Sequence, residues 1–286
     1  MTGEIPVLQS PDLEQHNNMT VFVSRYTVGK LLGKGTFGCV YEGVRNKDRK
    51  QVAIKVVDKE GMDETMTIPG ETQELPVEVA LMKIVSKPPH CSNVVELLDW
   101  FDLVHKYVLV LERPSPCMDL RDFIESQNGH LSEAQARDIM VQVVQAAHHC
   151  CNHGVFHRDI KAENLLINTN TLHIKLIDFG YGVLLKDTPY DEFSGTDVFA
   201  PPEWLMFEEY MGISGTIWGL GIFLYNLLSG QYPIASEEDF DYAYLVLSPD
   251  VSQECFELMM WCLDLNPEVR PTFDDLFRHE WFTEAV

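Results

Sequence analysis

Five short motifs, met in a fixed order along 286 residues, constrain this chain more than any other feature. The first is Gly33-Lys34-Gly35-Thr36-Phe37-Gly38-Cys39-Val40, a GxGxxGxV run between two strand-like segments. Glycines let the backbone approach phosphate groups and aim N–H donors at them. The same spacing marks dinucleotide-binding folds, but those need a helix directly after the glycines and an acidic residue about twenty further on. Here Val40-Tyr41-Glu42-Gly43 continues as a strand, which argues against that alternative. Val52-Ala53-Ile54-Lys55 lies on the next strand, with Lys55 17 residues after Gly38. From there an ammonium can reach phosphate oxygens as a point charge. Glu78, in a short helix, is a natural partner for it, although alone it would read as an exposed helical acid. The third motif is His157-Arg158-Asp159-Ile160-Lys161-Ala162-Glu163-Asn164. Asp178-Phe179-Gly180 follows 14 residues after Asn164, at the end of the apolar run Ile174–Ile177, and Pro201-Pro202-Glu203 completes the set.

Organisation along the chain is asymmetric. Residues 1–25 are polar, carry Pro6 and Pro11, and read as a flexible tail. Tyr26–Leu32, Cys39–Val44, Gln51–Val57, Val94–Phe101 and Tyr107–Leu111 read as strands, rich in Val, Ile, Tyr and Leu. Lys59 to Pro76 reads as a polar loop, and Val77–Val85 as a short helix. After Glu112-Arg113-Pro114-Ser115-Pro116 the periodicity becomes helical. Ser132–Cys151 places Ala136, Ile139, Met140, Val143, Val144 and Ala147 at helical spacing, with Ser132 as N-cap. Further helices are predicted from about 217, 238, 251 and 272. The reading is α+β, in two lobes: a strand-rich part, 26–112, and a helical part, 113–286, with a cleft between them.

Charge narrows the partners. Lys and Arg number 21 against 44 Asp and Glu, a net charge of −23. Residues 1–112 carry 12 basic and 16 acidic side chains, whereas 113–286 carry 9 and 28. Such a surface disfavours nucleic acid and anionic lipid and suits cationic partners. Like-charge repulsion also leans toward a monomer. Seven cysteines without a CxxC pair, and no signal peptide or myristoylation glycine at the start, point to a reducing, cytoplasmic setting, with the nucleus also open. Tyr210 to Ser236 holds no charged residue, but glycines and Pro233 interrupt it, so it reads as a core helix rather than a membrane span. His148-His149-Cys150-Cys151-Asn152-His153 resembles a zinc cluster in composition, yet consecutive helical side chains diverge around the axis. Asn18-Met19-Thr20 is a glycosylation sequon without meaning in the cytosol.

The five motifs form the signature set of protein kinases. From about Tyr26 to Phe282 the chain resembles a eukaryotic protein kinase domain, and within that group it is similar to the Pim serine/threonine kinases. The residues that carry the narrower likeness are Glu112 to Pro116, Asp119–Ile124, Leu184-Leu185-Lys186-Asp187-Thr188, and Pro201-Pro202-Glu203-Trp204. Pro114 is the most distinctive. The third residue after the gatekeeper, Leu111, normally offers its N–H to adenine, and proline has none. The resemblance implies a bilobal fold, with a small antiparallel sheet and one helix in the N-lobe and a larger, mainly helical C-lobe. It implies ATP, with adenine held by the Glu112 carbonyl and by apolar contacts from Leu32, Val40, Ala53 and Leu166. Asp119 lies at the rim, and the loop Gly33, Lys34, Gly35, Thr36, Phe37, Gly38, Cys39 lies over the phosphates.

Roles follow from this likeness. Asp159 accepts the substrate hydroxyl proton, and Lys161, two residues on, matches the serine/threonine pattern rather than the tyrosine one. Asn164 and Asp178 are hard oxygen ligands for Mg2+, with Mn2+ as an alternative. Lys55, held by Glu78, grips the phosphates. Thr196 anchors Asp159 and Lys161, and Glu203 with Arg270 forms a buried pair. Asp119, Asp122, Glu163, Asp191 and Glu192 fall where acids would receive basic residues of a protein substrate. Asp191 and Glu192 could also supply the negative charge that an activation-loop phosphate supplies elsewhere. Thr216-Ile217-Trp218-Gly219 replaces the common DxWSxG, a loss that Pim-like kinases share. Asp197 stands where a basic residue is usual and Ser194 where an acid is usual, while Phe156 and Ala162 are conservative changes. A non-catalytic scaffold and a small-molecule kinase are the competing readings.

Overall fold

The computed structural model describes residues 11–60, 64–233 and 251–283. Two compact units divide the chain. The first holds residues up to Met82 together with Glu96–Arg113; the second holds Lys83–Val95 and the residues from Pro114 onward.

In the first unit, helix α1 (Pro11–Arg25) leads into strands β1 (Tyr26–Gly35), β2 (Gly38–Arg45) and β3 (Gln51–Asp58). A short hairpin, β4 (Thr65–Thr67) and β5 (Glu74–Pro76), precedes helix α2 (Val77–Val85), then β6 (Leu97–Asp102) and β7 (Lys106–Glu112). The five longer strands form one sheet in the order β1-β2-β3-β7-β6, and every pairing is antiparallel. Alternation along β3 gives the sheet its two faces. Val52 and Ile54, with Val108 and Val110 of β7, pack with Phe22, Tyr26, Phe101 and Leu103 into an apolar core. The opposite face carries Ala53 and Lys55.

Residues 11–25 are thus not a tail. Phe22 is buried against Phe101, ring centroids 5.2 Å apart, and the Asn18 amide donates to the Asp102 carbonyl at 3.0 Å. Apolar residues are too sparse in this helix for periodicity to reveal it, and Phe22, with Val21 packed beside it, docks it on the sheet core. The stretch 59–76 is likewise not wholly loop, since Ile68 and Leu75 are buried around the β4–β5 hairpin.

The second unit is mainly helical. Strand β8 (Cys117–Asp119) runs into α3 (Leu120–Ser126), followed by α4 (Glu133–Asn152) and the short strands β9 (Val155–Phe156), β10 (Leu165–Asn168), β11 (Ile174–Leu176) and β12 (Val183–Leu184). Then come α5 (Pro202–Phe207), α6 (Gly212–Ser229), α7 (Gln253–Cys262), α8 (Phe273–Arg278) and α9 (Glu280–Thr283). Ser132 and Gln135 close a full capping box on α4. Helix α6 begins earlier than expected and is apolar enough to cross a membrane by composition, but 72% of it is buried, packed on α4 and α7. Glu133 ties three helices together: its carboxylate accepts from Ser252 Oγ at 2.6 Å, Trp281 Nε1 at 2.8 Å and Arg137 Nη2 at 3.2 Å. Burial alone would raise its pKa, but these partners hold it below the usual value. The helix predicted near 238 lies outside the described residues.

Candidate active site

Within the first unit, the strand register sets a row of side chains on one face of the sheet. Val40 lies opposite Lys55, and Ala53 lies opposite Leu111, so these four share that face. Lys55 is buried, at 5% exposure, and its Nζ donates to both oxygens of Glu78, at 2.6 and 2.8 Å. A buried ammonium is tolerable because a carboxylate meets it; α2 supplies that carboxylate in its first turn. Above this pair the glycine-rich residues close the β1–β2 hairpin: Gly33 faces Val40, Lys34 faces Cys39, and Gly35 faces Gly38, with Thr36 and Phe37 at the tip. The Phe37 ring lies 5.7 Å from Lys55 Nζ. Gly38 sits at φ +137°, and a Cβ there would come within 2.2 Å of the Val56 carbonyl oxygen. A Cβ on Gly33 or Gly35 would meet nothing within 4 Å, so these positions leave room beside the backbone. Leu32 is exposed, Leu111 is buried, and Glu112 Oε1 accepts from the Glu96 N–H at 2.9 Å.

Within the second unit, one carboxylate is the hub. Asp159, 4% exposed, accepts at Oδ1 from the Thr196 hydroxyl (2.8 Å) and at Oδ2 from Asn164 Nδ2 (2.7 Å) and Lys161 Nζ (2.9 Å). Lys161 Nζ also donates to Thr196 Oγ1 at 2.7 Å, which closes the ring of contacts. Thr196 therefore touches Asp159 and Lys161 as the sequence suggested, and Asn164, expected only as a metal ligand, joins them. Gly195 makes the approach possible: at φ +130°, a Cβ would lie 2.5 Å from the Arg158 carbonyl oxygen.

His157 orients this loop from beneath. Its Nε2 lies 3.1 Å from the Ile177 carbonyl and its Nδ1 accepts the Asp159 N–H at 3.3 Å, so the ring is neutral, with its proton on Nε2. Burial lowers its pKa in keeping with that state. Phe179 packs edge-on against it, centroids 4.8 Å apart. Asp178 next door holds a left-handed backbone, φ +64°, with Oδ1 accepting the Gly180 N–H at 3.1 Å.

The donor set fits a divalent metal. Asn164 spends its amide N–H on Asp159, which leaves its carbonyl oxygen, and Asp178 offers a carboxylate; both are hard oxygen atoms. By contrast, the His148–His153 run gathers no set of three metal-binding side chains among the described residues, although the His149 and His153 rings lie 4.1 Å apart. His149 Nε2 pairs with the Val85 carbonyl at 2.7 Å, His153 Nε2 with the Lys87 carbonyl at 3.1 Å, and His148 Nε2 with Asn152 at 2.9 Å.

Comparison with known proteins agrees with this geometry. Residues 26–282 match the protein kinase domain family. The chain is 38% identical to serine/threonine-protein kinase pim-2 of Danio rerio, over 96% of this chain and 89% of that one. This chain belongs to the protein kinase family. It is also 36% identical to serine/threonine-protein kinase prk-2 of Caenorhabditis elegans, over 96% of this chain but 62% of that one. To ppk6 of Schizosaccharomyces pombe it is 31% identical, spanning 92% of this chain and 34% of the relative. Members of the family use ATP and a divalent metal.

The remaining kinase residues fall as follows. Glu203 and Arg270 form a buried, two-pronged ion pair at 2.6 and 2.8 Å. Asp119 is partly spent, because it caps α3 by accepting the Asp122 N–H at 2.8 Å, while its backbone pairs with Leu166. Burial raises its pKa, and the nearby charges of Asp122 and Glu163 add to that. Asp122 is exposed; Glu163 meets Arg121 at 3.4 Å with one oxygen, while its other oxygen is buried without a hydrogen-bond partner. Asp191 is exposed, and Glu192 reaches Arg158 at 3.4 Å. Two features were not foreseen: the capping role of Asp119, signalled by an Asp ahead of an apolar helix, and Gly195, signalled by a glycine just before Thr196.

Proposed function

We propose that this kinase transfers the γ-phosphoryl group of ATP, with Mg2+ or Mn2+, to serine or threonine hydroxyls of proteins, in sequence contexts rich in Arg and Lys. Asp159 accepts the hydroxyl proton as the new oxygen–phosphorus bond forms and the bond to ADP breaks. Thr196, Asn164 and Lys161 fix the carboxylate for that task, so that alignment rather than covalent help lowers the barrier. Asn164 and Asp178 would hold the metal, which neutralises phosphate charge when bound. Lys55, braced by Glu78, would steady the transferred group's neighbours. In the Arg158–Glu192 contact a carboxylate meets the arginine of the catalytic loop, which supports activity without phosphorylation of the 180–200 segment. Its net charge of −23 favours a monomer, and the proposed setting is the cytoplasm, with the nucleus also open.

The observation that supports the substrate reading is the grouping of Asp119, Asp122 and Glu163, whose like charges add to burial in raising the Asp119 pKa. Exposed Asp122, and the Glu163 oxygen that meets Arg121 at 3.4 Å in a half-exposed pair, are open to a guanidinium from a substrate. The test is Glu163→Gln assayed with an Arg-rich serine peptide and with its Arg→Ala counterpart. One charge-assisted bond contributes roughly 1.5–3 kcal/mol, so KM for the first peptide should rise about tenfold or more. Equal changes for both peptides would overturn the reading.

A further inference from the structure

Helix α5 buries Pro202 and Glu203, yet its last three residues face outward: Leu205 is 54%, Met206 49% and Phe207 70% exposed. Met211 and Ile213, at the start of α6, are exposed as well. Five large apolar side chains exposed within nine residues is a dense apolar run for a surface, and exposed apolar surface of this kind marks interaction sites. The backbone holds them in place. Glu208 ends α5 in the left-handed region, φ 55°, and Tyr210 pairs with Tyr190 through backbone hydrogen bonds of 2.8 and 3.1 Å. Trp204 and Tyr210, which flank this stretch, pack with Phe193, one pair stacked and the other two tilted or edge-on. The segment is therefore anchored at both sides and is not a frayed loop.

Its rim decides the occupant. Glu208 and Glu209 are exposed directly after Phe207, and the Tyr190–Tyr210 bridge sets exposed Asp191 and Glu192 beside them. Glu192 already meets Arg158 at 3.4 Å, and the exposed carboxylates of Glu208, Glu209 and Asp191 next to the apolar side chains favour a ligand that is apolar at its centre and cationic at its edges. A second copy of this chain, carrying −23, is disfavoured by the same charges, and so is an anionic membrane.

We infer that Leu205, Met206, Phe207, Met211 and Ile213 form a docking surface for a protein segment with Leu or Phe anchors flanked by Arg or Lys. The surface begins nine residues after Thr196, which touches Asp159, and on the same unit of the chain, so docking there would tether a substrate to the unit that carries Asp159. This tethering role rests on the kinase reading above; the binding itself does not.

The experiment separates the two. The probe is a fluorescein-labelled peptide of repeating Arg-Leu-Lys-Phe, without Ser, Thr or Tyr, and its binding to the full chain is read by anisotropy. The surface predicts saturable binding, weakened at least tenfold by Phe207→Ser, by Met206→Ser, and by replacing the probe's Leu and Phe with Gly. A serine peptide extended with the same repeat should show a lower KM than the short peptide. Phe207→Ser should abolish that advantage, with short-peptide kinetics unchanged within about twofold. Equal binding of the wild type and both variants overturns the proposal. So does a concentration-dependent dimer that Phe207→Ser dissolves, or cosedimentation with phosphatidylserine vesicles that Phe207→Ser abolishes. If neither peptide is phosphorylated while the probe still binds, the kinase reading fails and the docking surface stands.

Discussion

Removing one half of the Glu203–Arg270 pair should cost more than any surface substitution in this kinase. The two side chains are 7% and 1% exposed, and the guanidinium donates to both carboxylate oxygens. Arg270 also donates to the carbonyls of Asp264 (2.8 Å) and Ser214 (3.1 Å) and lies over Trp218, so it has no route to water. In Glu203→Gln, one acceptor oxygen becomes an NH2 that faces a donor, and the guanidinium keeps its charge in a buried place. Breaking a buried pair in this way costs about 3–5 kcal/mol. At about 2–3 °C per kcal/mol for a chain of this size, the thermal midpoint should fall by roughly 6–15 °C. Replacing both partners at once, Glu203→Met with Arg270→Met, removes the stranded charge and should regain at least half of the loss. Circular dichroism melts of the four proteins at one pH and ionic strength supply the measurement. A Glu203→Gln midpoint within about 2 °C of wild type would refute the reasoning, and so would a double variant no better than the single one.

Two further predictions concern pH and backbone strain. His149 and His157 are both held below the ordinary value of 6.5, chiefly by burial, so the unfolded chain binds their protons more readily than the folded one. Their contribution is therefore full above pH 6.5 and is lost as pH falls through the lowered folded values; the midpoint should drop from pH about 7.5 to about 5.5, and His149→Gln should narrow that drop. An unchanged difference in His149→Gln would count against this. Gly38→Ala, at φ +137° and 2.2 Å from a carbonyl oxygen, should lower the midpoint by several degrees, at a strain of about 1–3 kcal/mol, whereas Gly33→Ala, with nothing within 4 Å, should leave it nearly unchanged. Similar melts for the two variants would show that the hairpin does not need its glycine.

The residues of the candidate site stood out in the sequence because each motif carries its chemistry in residue types. Lys55 sits within an apolar strand, Asp159 and Asn164 are five residues apart on one loop, and Asp178 follows a buried run. The long strands and α4 were equally legible, since period-2 and period-3.6 patterns and the Ser132 cap are local signals. What escaped depends on distant partners. Helix α1 is fixed by Phe22 on Phe101, and the hairpin in 59–76 by Ile68 and Leu75, contacts that no local pattern announces. The Glu133 carboxylate joins residues up to 148 positions away. Asp119 illustrates a mixed case: expected as a ligand-facing acid, it also caps α3 with one oxygen.

The central claim, that Asp159 serves phosphoryl transfer to basic protein substrates, is tested most directly by a radiometric assay with Mg–ATP. Wild type and Asp159→Asn are each given an Arg-rich serine peptide and the same peptide with Arg→Ala changes, alongside a nucleotide-binding titration. Wild type should phosphorylate the first peptide far better than the second. Asp159→Asn should lose activity by at least about a hundredfold, with nucleotide binding retained. No transfer by wild type to either peptide and no autophosphorylation, or an Asp159→Asn variant as active as wild type, would contradict the account.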